Sequence, residues 1–305
     1  MLFVVVNELV EDVMPMTGLE HEPELVRSFD DTAISATHQG SGDGLPLLIA
    51  NAVGANFAAW RRSLGDVARE RPIFTWDHRG LLGSGPPVSD RIDPGAHAED
   101  AMAVANHFGV DRFALASWSN GTRIGIEIAA RYPERVAALV LVSGGSGHPA
   151  GRLLRLEIAS AIPIVSSVAK YFAGSLARRF QRLVARPEIT GLIRQSGMVG
   201  ATADTPALVD LLKGMATCDL RTLLATFEAV IGDSGAEQLT QIQAPTLMIV
   251  GDRDQFTTGR MVDEVSRSIP TCRVIHYEGA THYLPLEFSA RLSNDLREFL
   301  TEVGI

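Results

Sequence analysis

Short apolar runs that alternate with longer amphipathic stretches constrain this chain more than any other feature. The runs are Pro46–Ala50, Pro72–Trp76, Arg112–Ala116, Val136–Val142, Pro245–Val250 and Cys272–His276. A strand that is apolar at nearly every position has to be covered on both faces, which calls for a parallel sheet with helices on either side. The intervening helices are expected to begin near Ala58, Ala96, Gly121, Gly259 and Leu286. Ahead of this series, L-V-R-S-F and T-A-I-S-A-T flank Asp30 and Asp31 between Glu24 and Gly40, and read as an antiparallel hairpin. The rhythm breaks once. From Ser146 to Thr240 no strand pattern occurs, while helical patterns such as Leu153–Val168 and Pro206–Val230 do. The expected fold class is therefore α/β, a mostly parallel sheet with helices on both faces and a helical insertion between its sixth and seventh strands. The division is an N-terminal extension (1–23), a core (24–145 and 241–305) and an inserted helical cap (146–240).

Composition narrows the function classes. At 46% apolar and 21% charged over 305 residues the chain can bury one large core. Twenty-seven basic against 36 acidic residues give a net charge of −9, so no general positive field gathers nucleic acid or an anionic membrane. The longest stretch free of Asp, Glu, Lys and Arg, Gly44–Trp60, is seventeen residues long and broken by Pro46, Asn51 and Asn56, too short and polar to span a bilayer. No Lys or Arg precedes Arg27 and no small-residue cleavage pattern follows Leu2–Val6, so no secretory signal is read and a cytoplasmic location is expected. Cys218 and Cys272 suit neither a disulfide framework nor a zinc site, and both are expected to be buried apolar residues.

The chemistry concentrates where the strand R-F-A-L-A runs into Ser117-Trp118-Ser119-Asn120-Gly121 and a helix follows at once. A serine at the apex of such a turn takes a strained backbone, and the residues two before and two after it must be small because strand and helix close on each other there. Ser117 and Gly121 meet that demand around Ser119. Taking Ser117 as nucleophile instead would place Leu115 at a flank, where it is too large. A serine hydroxyl needs a base and an orienting acid. The strand P-T-L-M-I-V runs into Gly251-Asp252-Arg253-Asp254, and C-R-V-I-H into Gly279-Ala280-Thr281-His282, both beyond the carboxyl ends of strands where open α/β sheets bind ligands. His282 is preferred to His276, which lies inside a strand. Asp254 is preferred to Asp252, which sits at the strand exit where it can simply cap the loop. Two oxyanion donors complete the set: the backbone N–H of Asn120, and that of Val53 in the Asn51-Ala52-Val53-Gly54 loop after the first parallel strand. Asn51 and Trp118 are candidates for lining the substrate pocket.

Taken in order, N-A-V-G, Asp77-His78-Arg79-Gly80 leading to Ser84, S-W-S-N-G, the Ser146–Thr240 insertion, G-D-R-D and G-A-T-H resemble the pattern of the α/β-hydrolase superfamily from Leu47 to Leu300. The resemblance implies a capped serine hydrolase with a Ser119, Asp254, His282 triad. Asn51 and Ala52 stand where the family usually has His-Gly, and an Asn at that place is also what enol-lactone hydrolases of the superfamily show. Ser117 replaces the first glycine of the elbow. A serine nucleophile disfavours the dehalogenase and epoxide hydrolase branches.

Other features carry less. Gly145-Ser146-Gly147-His148-Pro149-Ala150 fits a loose dinucleotide pattern, but no second strand ending in an acid follows it. Asp77 and Arg79 are read as loop braces. His107 and His148 have no partner at metal-ligand spacing, so no metal and no cofactor is expected. Gly151–Arg186 carries seven cations against Glu157 alone. A solvated helix face is the plain reading of it, and steering of an anionic substrate group the sharper one. The expected activity is hydrolysis of a small-molecule carboxylic ester of apolar acyl character. A lactone or enol-lactone hydrolase, an acyltransferase and a non-catalytic small-molecule receptor are the alternatives.

Overall fold

A computed structural model describes residues 22–146 and 186–305. Eight strands form one sheet: β1 (Glu24–Arg27), β2 (Ala33–Gln39), β3 (Leu47–Ala50), β4 (Ile73–Trp76), β5 (Phe113–Trp118), β6 (Val136–Val142), β7 (Thr246–Gly251) and β8 (Cys272–Tyr277). Their order across the sheet is β1-β2-β4-β3-β5-β6-β7-β8. β1 pairs with β2 and β2 with β4 antiparallel, and every later pair is parallel. The hairpin read between Glu24 and Gly40 is the antiparallel edge, turned at Asp31 with φ of 65°.

Alternation along each parallel strand divides the core in two. Leu48, Phe74, Leu115, Leu139, Leu141 and Met248 face one side, under α2 (Pro94–His107), α3 (Gly121–Arg131) and α8 (Gly259–Ser268). Leu47, Ile49, Ile73, Ala114, Val140 and Ile249 face the other, under α1 (Val67–Glu70), α9 (Leu284–Glu287) and α10 (Ser289–Glu302). All seven residues of β6 are buried, as a central parallel strand requires. β8 is the other edge, so its apolar run is only partly covered: Cys272 is half-buried, not buried as expected, and His276 is exposed.

Two helical expectations change. The helix expected near Ala58 is a three-residue 3-10 turn, Phe57–Ala59, capped by the Asn56 side chain, and α-helix resumes only at Val67. Gly65 has poor helix propensity, and the Ser63 hydroxyl donates instead to the Pro285 carbonyl at 2.9 Å. The Pro206–Val230 pattern is two helices, α5 (Thr205–Thr217) and α6 (Leu220–Gly232). Cys218 is extended and buried beside Val53 and Leu81, and Asp219 caps α6 by accepting from the Thr222 amide at 2.9 Å. With α4 (Pro187–Gln195) and α7 (Ala236–Leu239), these lie between β6 and β7. The Leu153–Val168 pattern, His148, residues 1–16 and all of the basic stretch except the exposed Arg186 lie outside the described residues. Among the described residues no helix is long and apolar enough to cross a membrane, and no cluster of His, Cys, Asp and Glu is placed to hold a metal ion.

Candidate active site

Ser119 follows β5 with φ of 59°, the left-handed conformation that costs a non-glycine residue about 1–2 kcal/mol. Its backbone is pinned on both sides. The Ser119 amide donates to the Val142 carbonyl at 2.9 Å, and the Thr122 amide of α3 donates back to the Ser119 carbonyl at 3.0 Å. Helix and strand approach so closely that a Cβ on Gly121 would sit 2.3 Å from the Asn51 carbonyl oxygen. Ser117 faces Gly125, where a Cβ would lie 2.7 Å from the Ser117 oxygen, so α3 accommodates the serine that replaces a glycine. Ser117 itself is fully buried and donates to the Val140 carbonyl at 3.1 Å, which removes it as a nucleophile.

The structure brings the three predicted side chains together. Ser119 Oγ lies 2.7 Å from His282 Nε2, and His282 Nδ1 lies 3.0 Å from Asp254 Oδ2 and 3.1 Å from Oδ1. Nδ1 faces an acceptor-only carboxylate, so the proton is assigned there and Nε2 is left to accept from the serine hydroxyl. The Asp254 side chain is fully buried, while His282 remains 13% exposed, open to a substrate. Burial alone would raise the Asp254 carboxyl. The His282 hydrogen bond and charge, with amides donated by Thr257 at 2.9 Å and Phe256 at 2.8 Å, outweigh it and hold the group below the usual carboxylate range. Asp252 accepts the Gly279 amide at 2.7 Å and so ties the β7 exit loop to the β8 exit loop.

Sequence reasoning missed the surroundings of the imidazole. Phe256 meets the His282 ring edge-on at 4.9 Å and is 38% exposed, and Tyr283 meets it at 5.9 Å. Trp118 is 2% exposed, and its indole N–H donates to the His282 carbonyl at 3.0 Å, holding the backbone of the loop. Asn51 is 1% exposed and donates to Thr75 Oγ1 at 2.7 Å. Both pocket candidates thus sit under the site with a donor committed to the scaffold, the Trp118 indole N–H and Asn51 Nδ2, while Asn51 Oδ1 is buried with no hydrogen-bond partner among the described residues. Glu287 is a further unpredicted member. Its buried carboxylate accepts the amide of Thr281, next to His282, at 2.8 Å, the Thr281 hydroxyl, and the amide of Gly200 in the insertion at 2.7 Å. Nothing in the sequence pattern marks these residues, because Phe256 and Glu287 act through contacts that only the closed fold creates and the turn of the Tyr283 ring onto its neighbour His282 is set by the loop conformation.

The two predicted oxyanion donors lie on the same edge but are not equivalent. The Val53 N–H donates to the side-chain oxygen of Asn120 at 2.8 Å. Among the described residues no acceptor meets the Asn120 N–H at the start of α3. The remaining candidates are scaffold. Arg79 is fully buried and bonds Asp100 at 2.7 and 2.8 Å and Asp30 at 3.0 Å, while Asp77 accepts the Gly83 amide. His107 pairs with Glu24 at 2.9 Å, and Ser146 donates to Glu264 at 2.9 Å.

A family model described as the alpha/beta hydrolase fold matches residues 46–289. The chain belongs to this family. Among curated proteins, this hydrolase is 25% identical over 243 residues to the putative carbamate hydrolase RutD of Azorhizobium caulinodans, covering 79% of this chain and 85% of that protein. Among solved structures it is similar in fold to the enol-lactonase of Burkholderia xenovorans LB400, with a TM-score of 0.73 and 16% identity over 91% of this chain and all of that one. It is similar as well to a bacterial membrane phospholipase A, with a TM-score of 0.72 and 23% identity over 99% of this chain and 91% of the other.

Proposed function

We propose that this hydrolase cleaves carboxylic esters of small to medium, largely apolar acyl groups through an acyl-enzyme. The observation that carries the reading is the continuous relay from Ser119 through His282 to the buried Asp254 on a left-handed elbow. Ser119 Oγ attacks the carbonyl carbon as its proton passes to His282 Nε2. Asp254 fixes the tautomer and stabilises the imidazolium. The amides of Asn120 and Val53 hold the oxyanion, each worth about a hundredfold or more in rate. The carbonyl–oxygen bond to the leaving group then breaks, the alcohol departs with the proton from His282, and water repeats the sequence on the acyl-enzyme to release the acid.

Residues 146–240 are proposed to act as a cap over this site. In support, a Cβ on Gly54, beside Val53, would meet Leu223 of α6 at 2.9 Å and Met215 of α5 at 3.2 Å, so these helices lie directly on the oxyanion loop. Val53, Leu81, Leu82 and Leu223 form an apolar cluster there suited to an acyl group.

A second reading is supported by the RutD and enol-lactonase likenesses: the same atoms can open a lactone or a carbamate, both of which present a carbonyl carbon to a serine. The test combines fluorophosphonate labelling and peptide mapping with a panel of p-nitrophenyl esters, simple lactones and carbamates. Labelling at Ser119 with turnover of the esters is expected. Labelling elsewhere, or turnover retained by Ser119→Ala, overturns the mechanism, and preference for lactones or carbamates reassigns the substrate.

A further inference from the structure

The Asn120 side chain adds something that the backbone role expected of this residue does not contain. We propose that its carboxamide oxygen is a resident plug of the oxyanion site, which must swing off the Val53 N–H before a substrate oxygen can occupy it. The inference rests on the serine hydrolase reading above. A backbone amide has one hydrogen and serves one acceptor at full strength. The Val53 hydrogen is committed to Asn120 Oδ1 at 2.8 Å, a normal bond length, while among the described residues no acceptor meets the Asn120 amide. The plug is an amide oxygen, the same kind of acceptor as a substrate carbonyl, so a neutral carbonyl gains little by displacing it. A tetrahedral oxyanion is different, because a charge-assisted bond is roughly twice as strong as a neutral one. Displacement is therefore favoured most where charge develops, and the plug competes least well against an anion and best against stray neutral acceptors.

The position supports this role. Asn120 is partly exposed, and the elbow backbone before it is held by the Ser119 and Thr122 amide bonds, so rotation of its side chain does not require the elbow to move. Gly54, next to Val53, has φ of 78° and is packed under Leu223 and Met215, so the loop presenting the Val53 amide is held in place by the helices above it as well as by the plug.

Asn120→Ala removes the plug and leaves both backbone amides. Asn120→Ser, too short to span the gap, is the second variant in case alanine impairs folding, and both are checked by thermal melting. Asn120→Asp keeps the shape but makes the acceptor anionic. With p-nitrophenyl butyrate, kcat/KM of the Ala and Ser variants should rise about two- to tenfold, the worth of one neutral hydrogen bond, and the Ki of butyrate should fall by a similar factor. The Asp variant should lose at least about tenfold in kcat/KM, since the charge both holds Val53 and repels the oxyanion. The rate of fluorophosphonate labelling at Ser119 should follow the same order. Labelling at Ser119 that the Ala and Ser variants slow or leave unchanged overturns the plug alone, with the hydrolase reading intact. Absence of labelling at Ser119 in the unaltered protein overturns both.

Discussion

Gly121→Ala sets local preference against tertiary packing at the one point where strand, helix and oxyanion loop meet. Gly121 opens α3, and alanine in a helix is favoured over glycine by about 1 kcal/mol, so propensity alone says the substitution stabilises. The packing says otherwise. An added Cβ would lie 2.3 Å from the Asn51 oxygen, 2.5 Å from the Ala50 oxygen and 2.8 Å from the Asn51 carbonyl carbon, where ordinary contact begins at 3.4 Å. Relief needs a displacement of 3.4 − 2.3 = 1.1 Å. All three atoms are backbone at the exit of β3, whose register with β5 is fixed through Ala50 and Ser117, so the helix start has to move. Overpacking of this kind costs about 1–3 kcal/mol, which cancels or modestly exceeds the propensity gain. The catalytic cost is larger, because Ser119 and the Asn120 amide travel with the helix start and a misplacement of about 1 Å is worth around a hundredfold in rate. The assay is kcat/KM on p-nitrophenyl butyrate with a thermal melt. Gly259→Ala, where nothing lies within 4 Å, serves as the reference. A Gly121→Ala protein within threefold of the unaltered rate would refute the geometry of the elbow. So would a loss that follows the unfolded fraction alone.

Asp254→Asn should cut kcat by up to about ten-thousandfold through the wrong histidine tautomer, while Asp252→Asn, altering one exposed loop bond, should stay within about threefold; the opposite ranking in ester turnover reassigns the acid. Trp118→Phe removes the indole donor from the His282 carbonyl and should lower stability by about 1 kcal/mol in urea unfolding, with a larger proportional loss in kcat than in KM if it positions the imidazole. Burial, reinforced by Arg79, pushes His97 down to about 3, and burial beside His97 holds His78 well below 6.5. Both folded values lie below the unfolded one, so the unfolded chain takes up protons first and stability is complete above about pH 6.5 and falls below it. Melting at pH 7.5, 6.5 and 5.5 should show the decline begin between the last two, and a flat profile would contradict it. Arg79→Met leaves the buried Asp100 carboxylate and the partly buried Asp30 without their cation and should cost about 3–5 kcal/mol in denaturant unfolding.

The sheet was legible because its cause is local. Seven buried positions in β6 coincide with the apolar run Val136–Val142, and Ser119, Asp254 and His282 fall beyond the ends of strands that apolar runs alone located. Small residues around Ser119 could be read as a steric demand, and Gly121 against the Asn51 carbonyl is that demand in atoms. Edge effects were not legible. Cys272 and His276 sit in a run like the others, but β8 has a neighbour on one side only. The break at Cys218 and Asp219 was hidden because a capping aspartate and a cysteine packed on Val53 outweigh a helical period that continues through them. Phe256 and the Asn120 side chain gave no signal, since their contacts with His282 and Val53 join residues distant along the chain, and Tyr283, though next to His282, carries no pattern that says its ring turns onto the imidazole.

Glu287 bears on how freely such a protein could exchange parts. One carboxylate accepts from Thr281 beside the histidine and from Gly200 in the helical insertion, and a side chain at position 200 would put its Cβ 2.9 Å from the Glu287 carboxyl carbon. An insertion transplanted from another family member would therefore need a glycine with a free amide at that spot. Without the amide, a buried negative charge loses a donor; without the glycine, the carboxylate is pushed back against the loop that carries His282. Recombining insertion and core thus has to match this residue pair as well as the packing of Leu223 and Met215 on Gly54, and a graft that ignores the pair would be expected to fail in the histidine loop.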